Sequence, residues 1–182
     1  MQALTTSLEG VLVLEPTVYR DERGFFVETW NRREFVDATG VEAEFVQDNQ
    51  SGSKLGVLRG LHYQLPPDPQ GKLVRAAVGS VFDVAVDIRR SSSTFGQWFG
   101  IELSAENQKQ LWIPPGLAHG FATTSKWAEL HYKTTGYYSR SNERVLRWDD
   151  PEIGIAWPSA NEPILSEKDA GAIGLRQAEV FE

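Results

Sequence analysis

The stretch Val81-Phe82-Asp83-Val84-Ala85-Val86-Asp87-Ile88-Arg89 carries the clearest fold signal in the chain. Its side chains alternate between one face that holds Asp83 and Asp87 and an opposite, apolar face that runs from Phe82 to Ile88. Successive side chains of an extended strand point to opposite faces, so this period of two predicts a β-strand rather than a helix. The fold should therefore be built around strands.

Strand signals recur at short intervals on both sides of this stretch. The runs are rich in β-branched and aromatic residues, and glycine or proline turns separate them. Many short strands of this kind predict an antiparallel sandwich or barrel, and the absence of a βαβ rhythm argues against a Rossmann-type sheet. The other predicted strands are Val11–Pro16, Thr17–Tyr19, Phe25–Trp30, Phe45–Gln50, Gly56–Gln64, Leu73–Val78, Gln97–Leu103, Gln110–Pro114, Gly120–Thr124 and Ala128–Thr134.

Helix signals are few and short. Asn31–Gly40 begins with an asparagine cap and ends with glycine, which predicts a short helix, whereas Ser51–Ser53 is predicted as a loop. From Asp149 onward the chain becomes proline-punctuated, and Ser166 is placed to cap a second short helix. We expect one domain over residues 1–182, with the amino-terminal strands and the carboxy-terminal segment wrapping the barrel.

Composition narrows the class of protein. The 182 residues include no cysteine, which excludes disulfides and thiolate chemistry and agrees with a reducing cytoplasm. The net charge is −7, which argues against broad nucleic-acid binding but leaves room for a small anionic ligand held by a few local cations. Neither a signal peptide nor an apolar stretch of membrane-spanning length is predicted. We expect a cytoplasmic protein with no nucleic-acid or membrane partner.

A second stretch, Gly56–Gln64, places a cation and an imidazole close together. Arg59 and His62 would project to opposite faces of a regular strand, unless Gly60 introduces a bulge. Metal-binding barrels of the cupin type use a His-x-His pair, but here the second position is Gln64 and the chain has only three histidines. The sequence therefore predicts no bound metal.

Other ionisable side chains on predicted strands need a reason to point inward, since a buried charge without a partner is costly. Lys72 follows Gly71, and its simplest interpretation is a solvated strand start. Alternation puts His131 and Tyr132 on opposite faces, and an inward tyrosine is commonly a core residue. His119 follows a tight turn and is expected at the mouth of the barrel. The candidates for inward side chains are His62, Lys72, Arg75, Asp83, Asp87, His119, His131 and Tyr132.

Several long motifs together carry a family resemblance. They are Arg23–Glu28, Gln47–Asn49, Gly56–Gln64, Gly71–Val74, Gly79–Arg89, Ile113–Phe121, Tyr132-Lys133 with Tyr137-Tyr138, and Leu165–Asp169. On these motifs, in this order, the chain resembles the dTDP-4-dehydrorhamnose 3,5-epimerase family over essentially its whole length. The resemblance implies an all-β fold, a metal-free, cupin-type antiparallel jelly-roll barrel with a few short helices. It also implies a homodimer and no cofactor.

The resemblance implies four catalytic roles. His62 would be the general base, and Asp169 would orient it. Tyr132 would be the acid on the opposite face of the sugar ring. Lys72 would lie near the 4-keto oxygen of the sugar.

The resemblance implies a nucleotide-sugar site as well. Arg59 and His119 would hold the sugar and diphosphate, and Tyr138 would stack on thymine with Phe26 nearby. Part of the site comes from the partner subunit's amino-terminal strand in this family, so Arg23 and Glu28 are expected to act across the dimer interface. The remaining residues implied for the site are Arg23, Glu28, Gln47, Asp48, Asn49, Glu143 and Lys168.

The implied reaction inverts carbons 3 and 5 of dTDP-4-dehydro-6-deoxy-D-glucose to give dTDP-4-dehydro-L-rhamnose. The chemistry is reasonable, because histidine is a base near neutrality and the 4-keto group acidifies both neighbouring positions. Three alternatives stay open. The first is a related mono-epimerase or ketoisomerase, the second is a non-catalytic cupin that binds a nucleotide sugar, and the third is a metal-dependent cupin oxygenase.

Overall fold

The fold is seen in a computed structural model, which describes residues 1–158 and 162–182. The described strands form a six-stranded sheet, a five-stranded sheet and a two-stranded ribbon, and all their pairings are antiparallel. The strands are β1 (Gln2–Thr5), β2 (Leu12–Glu15), β3 (Val18–Asp21), β4 (Gly24–Val27), β5 (Gln47–Lys54), β6 (Leu58–Gln64), β7 (Lys72–Val78), β8 (Ser80–Asp87), β9 (Trp98–Ser104), β10 (Gln110–Ile113), β11 (Leu117–Thr123), β12 (Trp127–Thr134) and β13 (Glu143–Val145).

The two large sheets enclose the barrel. The six-stranded sheet has the order β1-β2-β10-β7-β12-β5, and the five-stranded sheet has the order β13-β6-β11-β8-β9. Side chains from both sheets, such as Val74, Leu130, Ala85 and Phe121, pack in one buried cluster between them. This is the predicted antiparallel jelly-roll architecture of the cupin type. No helix in the described part of the chain is long and apolar enough to cross a membrane.

Residues 81–87 of the alternating stretch lie in β8, and the predicted alternation is confirmed. Ala85 points into the barrel, whereas Val84 and Val86 on the opposite face pack under the carboxy-terminal segment with Trp157 and Leu175. Both faces of β8 are therefore buried. The apolar face lies under the tail, and the face with the aspartates lies toward the barrel, which periodicity alone could not decide.

The predicted loop at Ser51–Ser53 is wrong, because β5 continues through it to Lys54. Ser53 is buried and its hydroxyl accepts a hydrogen bond from Nε of Arg59 at 3.0 Å. A strand whose inward positions are polar gives no hydrophobic alternation, so its sequence is typical of a loop. The short strands β1 and β13 were missed as well, because pairing with neighbours rather than local composition defines them.

Both predicted helices are confirmed. Helix α1 (Arg32–Thr39) is capped at its start by Asn31, whose side chain accepts hydrogen bonds from two backbone N–H groups. Its C-cap is Gly40, with φ +70°. Helix α2 (Glu167–Ala170) is capped by Ser166. A 3₁₀ helix follows at Leu175–Gln177. The second cap matters for function, since α2 carries Asp169.

Asp87 stabilises the end of the barrel through a carboxylate network. Its buried oxygens accept from Arg89 Nε (2.9 Å), Ser92 Oγ (2.6 Å) and Thr94 Oγ1 (2.6 Å). Burial opposes ionisation, but these hydrogen bonds outweigh it and lower the pKa of Asp87 to about 2. Asp87 is thus a structural residue rather than part of a polar pocket.

Replacing Asp87 by asparagine should lower the free energy of unfolding by about 2 kcal/mol at pH 7. Because the folded pKa lies below the unfolded value, the wild-type advantage is present above about pH 4 and is lost as pH falls toward 2. Urea unfolding at pH 7 and pH 3 measures both effects. Asp149→Asn is the matched control, since Asp149 forms an exposed pair with Arg147. Equal losses in the two variants would contradict the assignment.

Candidate active site

A bulge in β6 brings Arg59 and His62 to one cavity. His119 on β11 lies opposite His62, and Phe121 lies opposite Arg59, so two steps along β11 match three along β6. Gly60 makes this possible, with φ +123° and a position where a Cβ would lie 2.5 Å from the Cα of Gly120. Both Arg59 and His62 line a cavity of about 280 Å³. The sequence could not decide whether Gly60 introduces a bulge, and the structure shows that the bulge is present.

His62 is held by Asp169. The ring Nε2 lies 2.6 Å from Oδ1 of Asp169, which is almost completely buried. Ser166 donates its hydroxyl to Oδ2 of the same carboxylate at 2.9 Å and accepts the backbone N–H of Asp169 at 3.2 Å. An ionised carboxylate can only accept here, so Nε2 carries a proton and Nδ1 is left with the lone pair.

The electrostatics suit a neutral base. Burial lowers the pKa of His62, although the Asp169 hydrogen bond and charge act in the opposite direction. Burial opposes ionisation of Asp169, but hydrogen bonds from His62 and Ser166, with nearby positive charge, bring its pKa below the usual value. At neutral pH the pair is therefore a neutral imidazole beside a carboxylate, able to accept a proton.

Lys72 points into the barrel, and its interpretation as a solvated strand start is wrong. The residue is 7% exposed, and Nζ donates to the backbone carbonyl of His62 at 3.2 Å. Burial lowers its pKa to about 8, against an opposing attraction from Asp83 and Glu143. The ammonium group is still mostly charged at neutral pH, so it can stabilise a nearby oxyanion.

Tyr132 lies on the cavity face of β12, as alternation predicted for one of the two neighbouring residues. Burial raises the pKa of its phenol, which keeps the hydroxyl protonated and able to donate. His131 points to the opposite side of the sheet, where Arg75 lies 3.4 Å from its Nδ1. His131 and Arg75, two candidates for inward side chains, are therefore outside the barrel.

His119 is more deeply placed than the sequence predicted. It lies within β11 rather than at the mouth, and its Nε2 is 3.0 Å from both carboxylate oxygens of Asp83. Asp83 is fully buried on the inward face of β8. The inward prediction for Asp83 is thus confirmed, and the pair fixes the imidazole of His119 at the cavity wall.

A second polar group lies at the cavity mouth. Glu143 accepts from Lys168 Nζ at 2.7 Å and from the Tyr138 hydroxyl at 3.1 Å. Gln47 accepts the backbone N–H of Tyr138 at 3.1 Å and donates to Asn49 Oδ1 at 2.8 Å. These five residues all line the same cavity as His62.

The structure does not bring every predicted residue to this cavity. Asp48 points to the other side of β5, where it pairs with Lys133 at 2.8 Å and lines a separate cavity of about 420 Å³. Alternation along β5 explains this, since Gln47 and Asn49 take the inward positions. Arg23, Phe26 and Glu28 lie on or next to the β3–β4 ribbon and line other surface depressions of this chain.

Some residues of the site were missed from sequence. Ser51 lines the cavity, and its buried hydroxyl has no hydrogen-bond partner among the described residues, as is true of Asn49 Nδ2. Ser51 was assigned to a loop, and strand pairing was the only signal that could have found it. Gln64 and Ser166 were noted for other reasons, as a missing metal ligand and as a helix cap.

In residues 1–158 and 162–182, no group of three His, Cys, Asp or Glu side chains is arranged to hold an ion. The smaller cavity is the candidate active site because it combines a His-Asp pair, a lysine of lowered pKa and a buried tyrosine.

Comparisons with known proteins agree on one family. Residues 5–177 match the family described as dTDP-4-dehydrorhamnose 3,5-epimerase. The chain is 57% identical to the dTDP-4-dehydrorhamnose 3,5-epimerase of Salmonella typhimurium, over 98% of this chain and 97% of the relative.

Solved structures agree as well. An epimerase from Legionella pneumophila, in complex with dTDP-4-keto-L-rhamnose, superimposes with a TM-score of 0.94 at 47% identity, over 98% of this chain and 94% of the other. ChmJ, a 3'-monoepimerase from Streptomyces bikiniensis in complex with dTDP-quinovose, gives 0.88 at 35% identity, over 97% and 88%. This chain therefore belongs to the dTDP-4-dehydrorhamnose 3,5-epimerase family of isomerases.

Proposed function

We propose that this protein converts dTDP-4-dehydro-6-deoxy-D-glucose to dTDP-4-dehydro-L-rhamnose, a step in dTDP-L-rhamnose biosynthesis, with His62 as the base. The observation that carries the assignment is the contact of His62 with Asp169 at 2.6 Å in a cavity that Lys72 and Tyr132 also line. A base, an oxyanion partner and an acid are the groups that inversion beside a ketone requires. The identity of the substrate is inferred from the names of the relatives given above.

Each inversion follows the same steps. Nδ1 of His62 takes the proton from carbon 3 or carbon 5, and the electron pair of the C–H bond moves into an enolate whose oxygen is the former 4-keto oxygen. The Lys72 ammonium stabilises that oxygen, and Asp169 stabilises the imidazolium. The Tyr132 hydroxyl then returns a proton to the opposite face of the ring, which inverts the centre. Solvent reprotonates the tyrosinate and deprotonates His62, so the enzyme is restored.

The nucleotide half is proposed to lie at the mouth. Arg59 and His119 are assigned to the sugar and diphosphate, as the family resemblance implies, and the Arg59 guanidinium can hold phosphate oxygens through charge-assisted hydrogen bonds. Tyr138 is assigned to thymine, since its ring is exposed and its backbone is fixed. The same nucleotide-sugar site is assigned two further pairs of cavity residues, Gln47 with Asn49 and Glu143 with Lys168. The side chains of Gln47 and Asn49 take inward positions on β5.

Arg23, Phe26 and Glu28 are proposed to act from the partner subunit of a homodimer. They lie away from the cavity of their own chain, and Phe26 is 67% exposed beside exposed Tyr19 and Phe25. An exposed aromatic group on a two-stranded ribbon is typical of a surface that another subunit covers. The protein is proposed to work in the cytoplasm, in agreement with its lack of cysteine.

Deuterium exchange tests the reaction and its regiochemistry together. In deuterated water with dTDP-4-dehydro-6-deoxy-D-glucose, the wild-type protein should place deuterium at both carbons 3 and 5, because solvent replaces the proton that His62 removes. Mass spectrometry and NMR of the product measure the two positions. Deuterium at one carbon alone would show a mono-epimerase, the activity in the name of ChmJ. Absence of deuterium from both carbons would refute the assignment.

A further inference from the structure

Gln64 lines the cavity two residues after the proposed base, and its amide is bonded to backbone groups of two loops. Its side chain is 4% exposed and makes three hydrogen bonds. Nε2 donates to the carbonyls of Asp68 at 2.7 Å and Tyr137 at 3.1 Å, and Oε1 accepts the backbone N–H of Ser139 at 2.8 Å. Both the donor and the acceptor group of this amide are therefore bonded to backbone groups of two loops. The side chain connects those loops and is not free to bind a ligand.

Two of these bonds flank Tyr138. They hold the carbonyl just before it and the N–H just after it, while Gln47 accepts the N–H of Tyr138 itself at 3.1 Å. Gln64 belongs to the five-stranded sheet and Gln47 to the six-stranded sheet, so the loop is fixed from both sides of the barrel. Tyr138 is 55% exposed, so apart from the hydrogen bond of its hydroxyl to Glu143, the orientation of its ring depends on this fixed backbone.

We propose that Gln64 is a positioning residue that holds Tyr138 over the cavity mouth, and that it sets affinity for the dTDP half of the substrate rather than the rate of proton transfer. The inference rests on the proposed function, in which Tyr138 stacks on thymine. A histidine at position 64 would complete the His-x-His pair of metal-binding cupins. The glutamine instead satisfies three backbone groups that would otherwise be free to move or be left unpaired.

The physical basis is preorganisation. A loop that must order when ligand binds loses affinity, whereas a loop fixed in advance does not. Gln64→Asn shortens the side chain by one methylene, so its amide cannot reach both loops. The Kd for dTDP and the KM of the substrate should rise about tenfold, and kcat should stay within about threefold, because the base and acid lie on other residues.

A double-mutant cycle tests whether Gln64 acts through Tyr138. The Kd for dTDP is measured by calorimetry in the wild type, Gln64→Asn, Tyr138→Ala and the double variant. Gln64→Asn should weaken binding about tenfold beside Tyr138 and less than about twofold when Tyr138 is alanine. Equal weakening in both backgrounds, or a fall in kcat with KM unchanged, would overturn the proposal.

Two further variants serve as a control for the loss of a buried methylene and as a substitute for Gln64→Asn. Gln108→Asn removes a methylene from another buried glutamine, one that binds the carbonyl of Ala105 in a turn outside the cavity, and it should leave dTDP affinity unchanged. Gln64→Glu keeps the length and the acceptor but loses both donors, so the same cycle decides if Gln64→Asn does not fold.

The two proposals can fail separately. Wild-type protein that exchanges no deuterium would refute the reaction. If the wild-type protein exchanges deuterium normally but a Gln64 variant binds dTDP as tightly as the wild type, only the role of Gln64 is refuted.

Discussion

His62→Ala is expected to abolish exchange at both carbons, with a loss of at least about 10³-fold in kcat. One base serves both positions, and general-base catalysis by a positioned side chain contributes about 10²–10⁴-fold. Affinity for dTDP should change little, because the nucleotide contacts lie at the cavity mouth. The rate of deuterium incorporation and calorimetric dTDP binding measure the two effects.

His131→Ala is the control for this prediction. His131 lies on the opposite side of the six-stranded sheet from Tyr132 and lines the other cavity, so exchange at both carbons should persist. Thermal unfolding of both variants checks that the barrel is intact. Full exchange by folded His62→Ala protein would remove the base from the mechanism.

Tyr132→Phe is expected to separate exchange from inversion. The variant keeps the ring and its packing but loses the hydroxyl that returns a proton to the opposite face of the sugar. His62 can still remove and return a proton on its own face, so deuterium should enter substrate that is not inverted. Product formation should fall about 10²-fold or more, while exchange falls much less. The ratio of deuterated substrate to epimerised product, followed by NMR, measures the separation.

Tyr137→Phe serves as the matched control, since Tyr137 is 70% exposed and its side chain does not line the cavity. It should epimerise at the wild-type rate. If Tyr132→Phe also inverts both carbons at that rate, another group or a water molecule must be the acid.

Local pattern was enough to predict much of the fold. The alternation in β8 and the two helix caps depend on neighbours a few residues away, and both were confirmed. Polar inward strands gave no such pattern, which is why β5 was cut short at Ser51–Ser53. Hydrophobic periodicity cannot find a strand whose buried face serves a ligand instead of a core.

The motifs were enough to identify the family and to name its reaction. Their order along the chain carries that information without any coordinates. They did not show which of their residues share one cavity. Asp48 belongs to the Gln47–Asn49 motif but points away from it, because neighbouring residues of a strand cannot face the same side.

The sequence by itself determined that this chain forms an antiparallel barrel, belongs to an epimerase family and carries a histidine, a lysine and a tyrosine in the family's motifs. Tertiary structure alone decided how they work. In the folded chain β6 has a bulge at Gly60, Lys72 is buried, and Asp169 contacts His62 although 107 positions of sequence separate them. The physical reason is that the pKa of a side chain and the face of a strand depend on burial and pairing, which distant parts of the chain provide.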